Sequence, residues 1–188
     1  MILLKGLTKA FEEKVILDSA DFCFEAGRFY CLTGESGCGK TTLLRLIAGL
    51  DCADAGEICC SERISYSFQE SRLFPQLDAL SNVAISCSSE RARELLCKLG
   101  LEDALHKFPS ELSGGMKQRV SVARAIGREA DVYLFDEPTA ALDHNSACIC
   151  SNVIVSELRE KTLIISTHSP ALCEAADSVL KMANGRIV

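Results

Sequence analysis

Apolar residues follow two different periods along this chain. In short runs they fill every position or every second one; in longer stretches they return every three or four positions. The first pattern suits strands and the second suits helices. Strands are predicted over Met1–Leu4, Val15–Phe24, Arg28–Thr33, Glu57–Cys60, Arg63–Phe68, Asp131–Phe135, Thr162–Ser166 and Ser178–Lys181. Helices are predicted over Lys40–Leu50, Glu90–Leu101, Gly115–Gly127, His144–Glu160 and Ala171–Ala176. The second of these places Ala92, Leu95, Leu96 and Leu99 on one stripe. The later elements alternate strand and helix, which predicts an α/β fold with a parallel sheet. The early strands predict an antiparallel β region beside it. The stretch from about 75 to 109 reads as a helical insertion. With the helix that follows, it makes a small helical subdomain of about 75–127 within a single domain spanning 1–188.

Composition narrows the class. A chain of 188 residues with 48% hydrophobic and 24% charged residues suits one folded domain. Lys+Arg total 20 and Asp+Glu 26, a net charge of −6. That balance argues against sequence-independent nucleic-acid binding, which wants a basic stripe. No apolar run approaches the 18 residues of a membrane span. The segment Met1 to Phe11 carries Lys5 and Lys9 and no small-residue cleavage pattern, so it does not read as a signal peptide. A cytosolic chain is expected. The 11 cysteines form no CxxC, and most have apolar neighbours, as in Phe22-Cys23-Phe24 and Cys148-Ile149-Cys150. They read as small buried hydrophobes in a reducing compartment.

Three segments carry chemistry. Gly34-Glu35-Ser36-Gly37-Cys38-Gly39-Lys40-Thr41-Thr42 follows a predicted strand and opens a helix. Its glycines allow a curl of inward backbone N–H groups, and the helix adds its positive end. Lys40 suits the outer phosphates and the Thr41 hydroxyl suits Mg²⁺. Asp136-Glu137 closes the apolar run Val132-Tyr133-Leu134-Phe135. A buried strand thereby delivers two carboxylates to its C-terminal end, the edge where open α/β sheets bind ligands. Asp136 is placed for the metal shell and Glu137 for polarising an attacking water. Leu112-Ser113-Gly114-Gly115-Met116-Lys117-Gln118 puts a serine and two glycines at a helix start, a second anion cradle. Two cradles and one catalytic carboxylate suggest a site shared between two subunits.

With these motifs in this order, the chain resembles the ATP-binding-cassette (ABC) ATPase family over nearly its whole length. Gly34 to Thr41 is similar to that family's Walker A loop, Val132 to Glu137 to its Walker B strand, and Leu112 to Gln118 to its signature. Gln69 resembles the Q-loop glutamine, Ala141-Leu142-Asp143 the D-loop and His168 the switch histidine. The resemblance implies a P-loop NTPase core that binds ATP and Mg²⁺. It implies Glu137, His168 and Gln69 in catalysis and Thr41, Gln69 and Asp136 around the metal. It implies a head-to-tail dimer in which Ser113, Gly114 and Gly115 reach the partner's ATP. Phe11 falls where the family stacks an aromatic on adenine; core packing is the other reading.

Phe68-Gln69-Glu70-Ser71-Arg72-Leu73-Phe74-Pro75 and Phe108-Pro109-Ser110-Glu111 are similar to importer-type cassettes, most like nitrate, sulfonate and taurine uptake ATPases. That resemblance implies transmembrane permease subunits, an extracytoplasmic solute-binding protein, and a peripheral place on the cytoplasmic face of the membrane. Only 20 residues follow His168 in this sequence, so the C-terminal regulatory domain some importers carry is not expected within it. A soluble cassette acting in cofactor assembly is the alternative, and a P-loop nucleotide kinase is a third class. Cys38 has two readings as well: a thiol activated beside Lys40 at a helix N-terminus, or a small side chain turned into the core.

Overall fold

The computed structural model describes residues 1–12 and 14–188. Two sheets enclose one helix, and a group of helices covers the far side. The smaller sheet is antiparallel, in the order β2-β1-β4, from β1 (Ile2–Phe11), β2 (Lys14–Phe24) and β4 (Ala55–Cys59). The larger has the order β5-β6-β7-β3-β8-β9. It comprises β3 (Phe29–Thr33), β5 (Ile64–Ser67), β6 (Val132–Asp136), β7 (Thr162–Ser166), β8 (Ser178–Ala183) and β9 (Arg186–Ile187). Its first five members run parallel and β9 returns antiparallel on β8.

The central strands are apolar throughout because both of their faces are covered. Successive side chains alternate between two cores. Tyr30, Leu32, Val132, Leu134 and Ile164 face the smaller sheet and α1 (Lys40–Ile47), meeting Ile2, Leu4, Phe24, Leu43 and Leu44. Phe29, Cys31, Tyr133, Phe135, Leu163 and Ile165 face the opposite layer. That layer is built by α2 (Ala79–Ala84), α3 (Ser89–Lys98), α4 (Gly114–Gly127), α5 (His144–Glu157) and α6 (Pro170–Ala175).

The α/β class, the parallel core and the antiparallel region agree with expectation; several boundaries do not. β1 runs on from Leu4 to Phe11 through Lys5, Gly6, Thr8 and Lys9, which mask its period, and its ladder shifts register three times. β9 and α2 are too short to show a period. α1 and α3 stop early, each in a glycine Schellman motif. At α1, Gly49 N donates to Leu46 O and Leu50 N to Arg45 O; at α3, Gly100 N donates to Cys97 O and Leu101 N to Leu96 O. α5 ends at Glu157 rather than Glu160, because Leu158 leaves helical geometry and exposed Arg159 and Glu160 have nothing to bury against.

The cysteine expectation holds in part. Cys31 and Cys150 are buried, and burial pushes the Cys150 thiol up to about 12. Cys23, Cys52, Cys59 and Cys97 are exposed. Cys23 shows why: strand alternation turns it outward although Phe22 and Phe24 flank it.

Candidate active site

β3 feeds the phosphate-type loop directly into α1, beside the C-terminal ends of β6 and β7. Gly34 has φ +143 and Gly39 φ +106, conformations that L side chains rarely adopt. Lys40 opens α1 and is only 8% exposed. Its ammonium is curled back into the loop, donating to Gly34 O at 2.7 Å and Glu35 O at 3.2 Å. The loop thus surrounds a cation with oxygen on one side and the amides of a helix start on the other. An incoming polyphosphate would exchange those carbonyls for stronger charge-assisted contacts.

Parallel pairing of β6 with β7 sets Asp136 opposite Ser166. Asp136 is buried, and its Oδ1 accepts from Thr41 Oγ1 at 3.1 Å and Ser166 Oγ at 2.6 Å. Burial first, and then the Asp136 carboxylate, push the Tyr66 phenol well above its usual range, so it stays neutral. Thr41 and Asp136 are hard oxygen donors side by side, the ligand type that Mg²⁺ accepts. Glu137 follows with φ +48, rare for a residue with a Cβ. Its amide donates to Ser166 O and Ser166 Oγ, both at 3.0 Å. The turn aims its carboxylate at His168, with Oε1 3.4 Å from Nε2. The carboxylate is shielded and the imidazole largely open.

Lys40, Thr41, Glu137 and His168 line a cleft of about 310 Å³ that also includes Phe11, Lys14, Ile16, Ser36, Gly37, Gly39, Thr42 and Gln69; Asp136 and Ser166 are buried beside it. Phe11 is 49% exposed at its mouth, with Lys9 Nζ 5.2 Å from the ring centroid. That position removes the core-packing reading of Phe11. Glu35 and Cys38 line an adjoining cleft of about 530 Å³ against β8 and the turn that follows it. Cys38 also packs partly buried on the core beneath α1.

The signature residues and Asp143 do not line the nucleotide-side cleft. Ser113 caps α4, its Oγ accepting from Met116 N at 3.2 Å, and Asp143 caps α5, its Oδ1 accepting from Ser146 N at 3.0 Å. Gly115 packs on the D-loop: a Cβ there would lie 3.3 Å from Leu142 Cδ2. Ser113 and Gly114 are exposed, whereas Leu112 and Gln118 turn into the core. Gln118 therefore lies on a buried face of α4.

Ser166, Lys14 and Ile16 were not singled out as site residues by the sequence reading. Ser166 ends an apolar run, a placement shared with Asp136, but its contact with Asp136 exists only through strand pairing.

A phosphate loop, a hydroxyl–carboxylate pair and a carboxylate–imidazole pair at one sheet edge define a nucleotide-hydrolysing P-loop protein. Residues 17–140 match the family model described as ABC transporter, and the chain belongs to that family. It is the ATP-binding, ATP-hydrolysing subunit of an ABC transporter.

It is similar to the aliphatic sulfonates import ATP-binding protein SsuB 2 of Streptomyces avermitilis: 39% identity, covering 99% of this chain and 78% of that protein. SsuB 3 of Paraburkholderia xenovorans is also 39% identical, with the same shares covered. An uncharacterized ABC transporter ATP-binding protein of Mycobacterium tuberculosis is 34% identical, covering all of this chain and 89% of its own. Among solved structures, the dimeric ATP-binding cassette MJ0796 in a post-hydrolysis state bound to ADP and Pi is 28% identical. It superimposes with a TM-score of 0.90 over 100% of this chain and 96% of that one.

Proposed function

We propose that this chain powers uptake of small organic anions of the sulfonate type, as one of two identical ATPase subunits beneath a pair of transmembrane permease subunits. The names of its relatives support the direction and the solute class. An extracytoplasmic solute-binding protein would deliver the cargo, and the chain would sit peripherally on the cytoplasmic face of the membrane. We read it as a single domain, with the helical subdomain of about 75–127 facing the permease.

In this reading Phe11 stacks on adenine, and the loop from Gly34 to Thr42 holds the phosphates through its amides and Lys40. Thr41, Asp136 and Gln69 would hold Mg²⁺, which would supply charge neutralisation. Glu137 takes the proton of the attacking water and His168 steadies the γ-phosphate. Ser113, Gly114 and Gly115 close over the ATP of the partner, and Asp143 faces the junction.

One observation supports the shared site: Phe11, Lys40, Thr41, Gln69, Glu137 and His168 line one cleft, with Asp136 bonded to Thr41 beside it, while Ser113, Gly114, Gly115 and Asp143 lie outside it. Glu137→Gln tests it. Phosphate release should fall by about 10²–10⁴-fold, the usual worth of a positioned base, while ATP still binds and light scattering reports a lasting dimer. Wild-type turnover in that variant would remove Glu137 from its role, and a monomer turning over at full rate would remove the shared site.

A further inference from the structure

We propose that Ser166 is a positioning residue for ATP hydrolysis: its hydroxyl orients the Asp136 carboxylate toward the metal of MgATP and holds the Glu137 amide at the turn that presents the base. The inference rests on the roles given above to Asp136 and Glu137.

Ser166 is the last residue of β7, fully buried, and the register partner of Asp136. The three residues before it, Leu163, Ile164 and Ile165, are apolar and equally buried. Burial alone therefore calls for a hydrocarbon at this position, and a hydroxyl there is costly unless bonded. It is bonded on both sides. A serine hydroxyl offers one proton and two lone pairs. The proton goes to Asp136 Oδ1 at 2.6 Å, the shortest of the contacts in this cluster. A lone pair takes the Glu137 N–H at 3.0 Å. One side chain thus touches both consecutive carboxylate residues, one through its carboxylate and the other through its backbone.

Asp136 Oδ1 has a second donor in Thr41 Oγ1 at 3.1 Å. Thr41 is also the hydroxyl that would turn an oxygen lone pair to the metal. Ser166 has no such second duty and anchors the carboxylate from the sheet side. Hydrogen-bond partners of this kind, one step removed from a metal, fix ligand orientation and commonly affect metal affinity by about 10–100-fold. The second contact matters for Glu137, whose φ of +48 is unfavourable for a side-chain-bearing residue and is retained only where neighbours over-determine it.

The test is a pair of ATP titrations, one with excess Mg²⁺ and one in EDTA, read by displacement of a fluorescent ATP analogue. They are run on wild type, Ser166→Ala, Ser166→Thr and Asp136→Asn. Ser166→Ala should lose about tenfold or more of the affinity that Mg²⁺ adds and keep the EDTA affinity. Ser166→Thr, which retains the hydroxyl, should recover most of the gain. In steady state Ser166→Ala should lower kcat, because the Glu137 amide loses the hydroxyl and is held by the Ser166 carbonyl alone. Retention of the full Mg²⁺ gain in Ser166→Ala, or an equal loss with and without Mg²⁺, overturns the proposal. Should Asp136→Asn also keep the full gain, the metal role of Asp136 itself fails, and the proposal with it. If Ser166→Ala does not fold, Ser166→Cys keeps the volume with a weaker donor and is judged by the same two titrations.

Discussion

Gly34 lies against the backbone of Met182: a Cβ on Gly34 would be 2.5 Å from the Met182 carbonyl oxygen. The phosphate loop leaves β3 under a strand that cannot yield without breaking its ladder. Gly34→Ala therefore meets both a clash and an unfavourable φ of +143. The conformational part alone costs about 1–3 kcal/mol. Gly37 is the control, with φ +78 and nothing within 4 Å of its Cβ position. Thermal melts and ATP titrations should show Gly34→Ala more damaging than Gly37→Ala; equal effects would mean the contact with Met182 is unimportant.

Ser113 serves one chain as a helix cap and, in the proposed dimer, a second chain as a phosphate donor. Its loss should separate the two. Ser113→Ala removes the bond to Met116 N and costs about 1 kcal/mol of stability, a melting shift of about 2–4 °C for a chain of this size. ATP binding to dilute protein should be unchanged, because Ser113 lies outside the cleft. Phosphate release at high protein concentration should drop by far more than the stability loss explains.

Glu157 on α5 ties down α3. It accepts from Lys98 Nζ at 2.8 Å and pairs with Arg91, and its side chain is 11% exposed. Burial opposes its charge, but hydrogen bonds from Lys98 and Arg91 prevail and hold its pKa below the ordinary carboxylate value. The folded pKa is depressed, so the stabilisation is complete above the unfolded value of 4.5 and drains as pH falls through the folded one. Glu157→Gln should cost about 1.5–3 kcal/mol near neutrality and flatten the acid limb of the stability curve. An unchanged acid limb by urea denaturation would contradict this.

Phe135 fills the helical side of the sheet and is fully buried. Phe135→Ala should cost about 3–5 kcal/mol. It precedes Asp136, so urea midpoints should fall first and Mg²⁺-dependent ATP binding with them. A loss under 1 kcal/mol would mean that layer repacks freely.

Much of this was legible in the amino-acid order because the decisive signals are local. The loop from Gly34 to Thr42 is a contiguous motif whose chemistry depends on neighbours in the chain. The strands Val132–Asp136 and Thr162–Ser166 are apolar runs that only a two-sided sheet explains. Gly49 and Gly100 were readable stop signals that the apolar stripes of their helices overrode. What stayed hidden depends on pairing between distant segments. Ser166 acquires its partners only when β7 lies beside β6, 30 residues from Asp136 in sequence. Phe11 reads as core or cleft until the strand carrying it is seen to end at the cleft mouth. Gln118 looked presentable until the phase of α4 turned it inward.

The in-step alignment of Asp136 with Ser166 has a further consequence. Slide one of those two strands by a single residue and every side chain on it changes layers: the acid would sink among the helices and a phenyl ring would take its place at the edge. No near-miss arrangement preserves the chemistry. For this molecule, the fraction of a preparation able to turn over fuel is a direct gauge of the fraction that has zipped its central strands in the right frame.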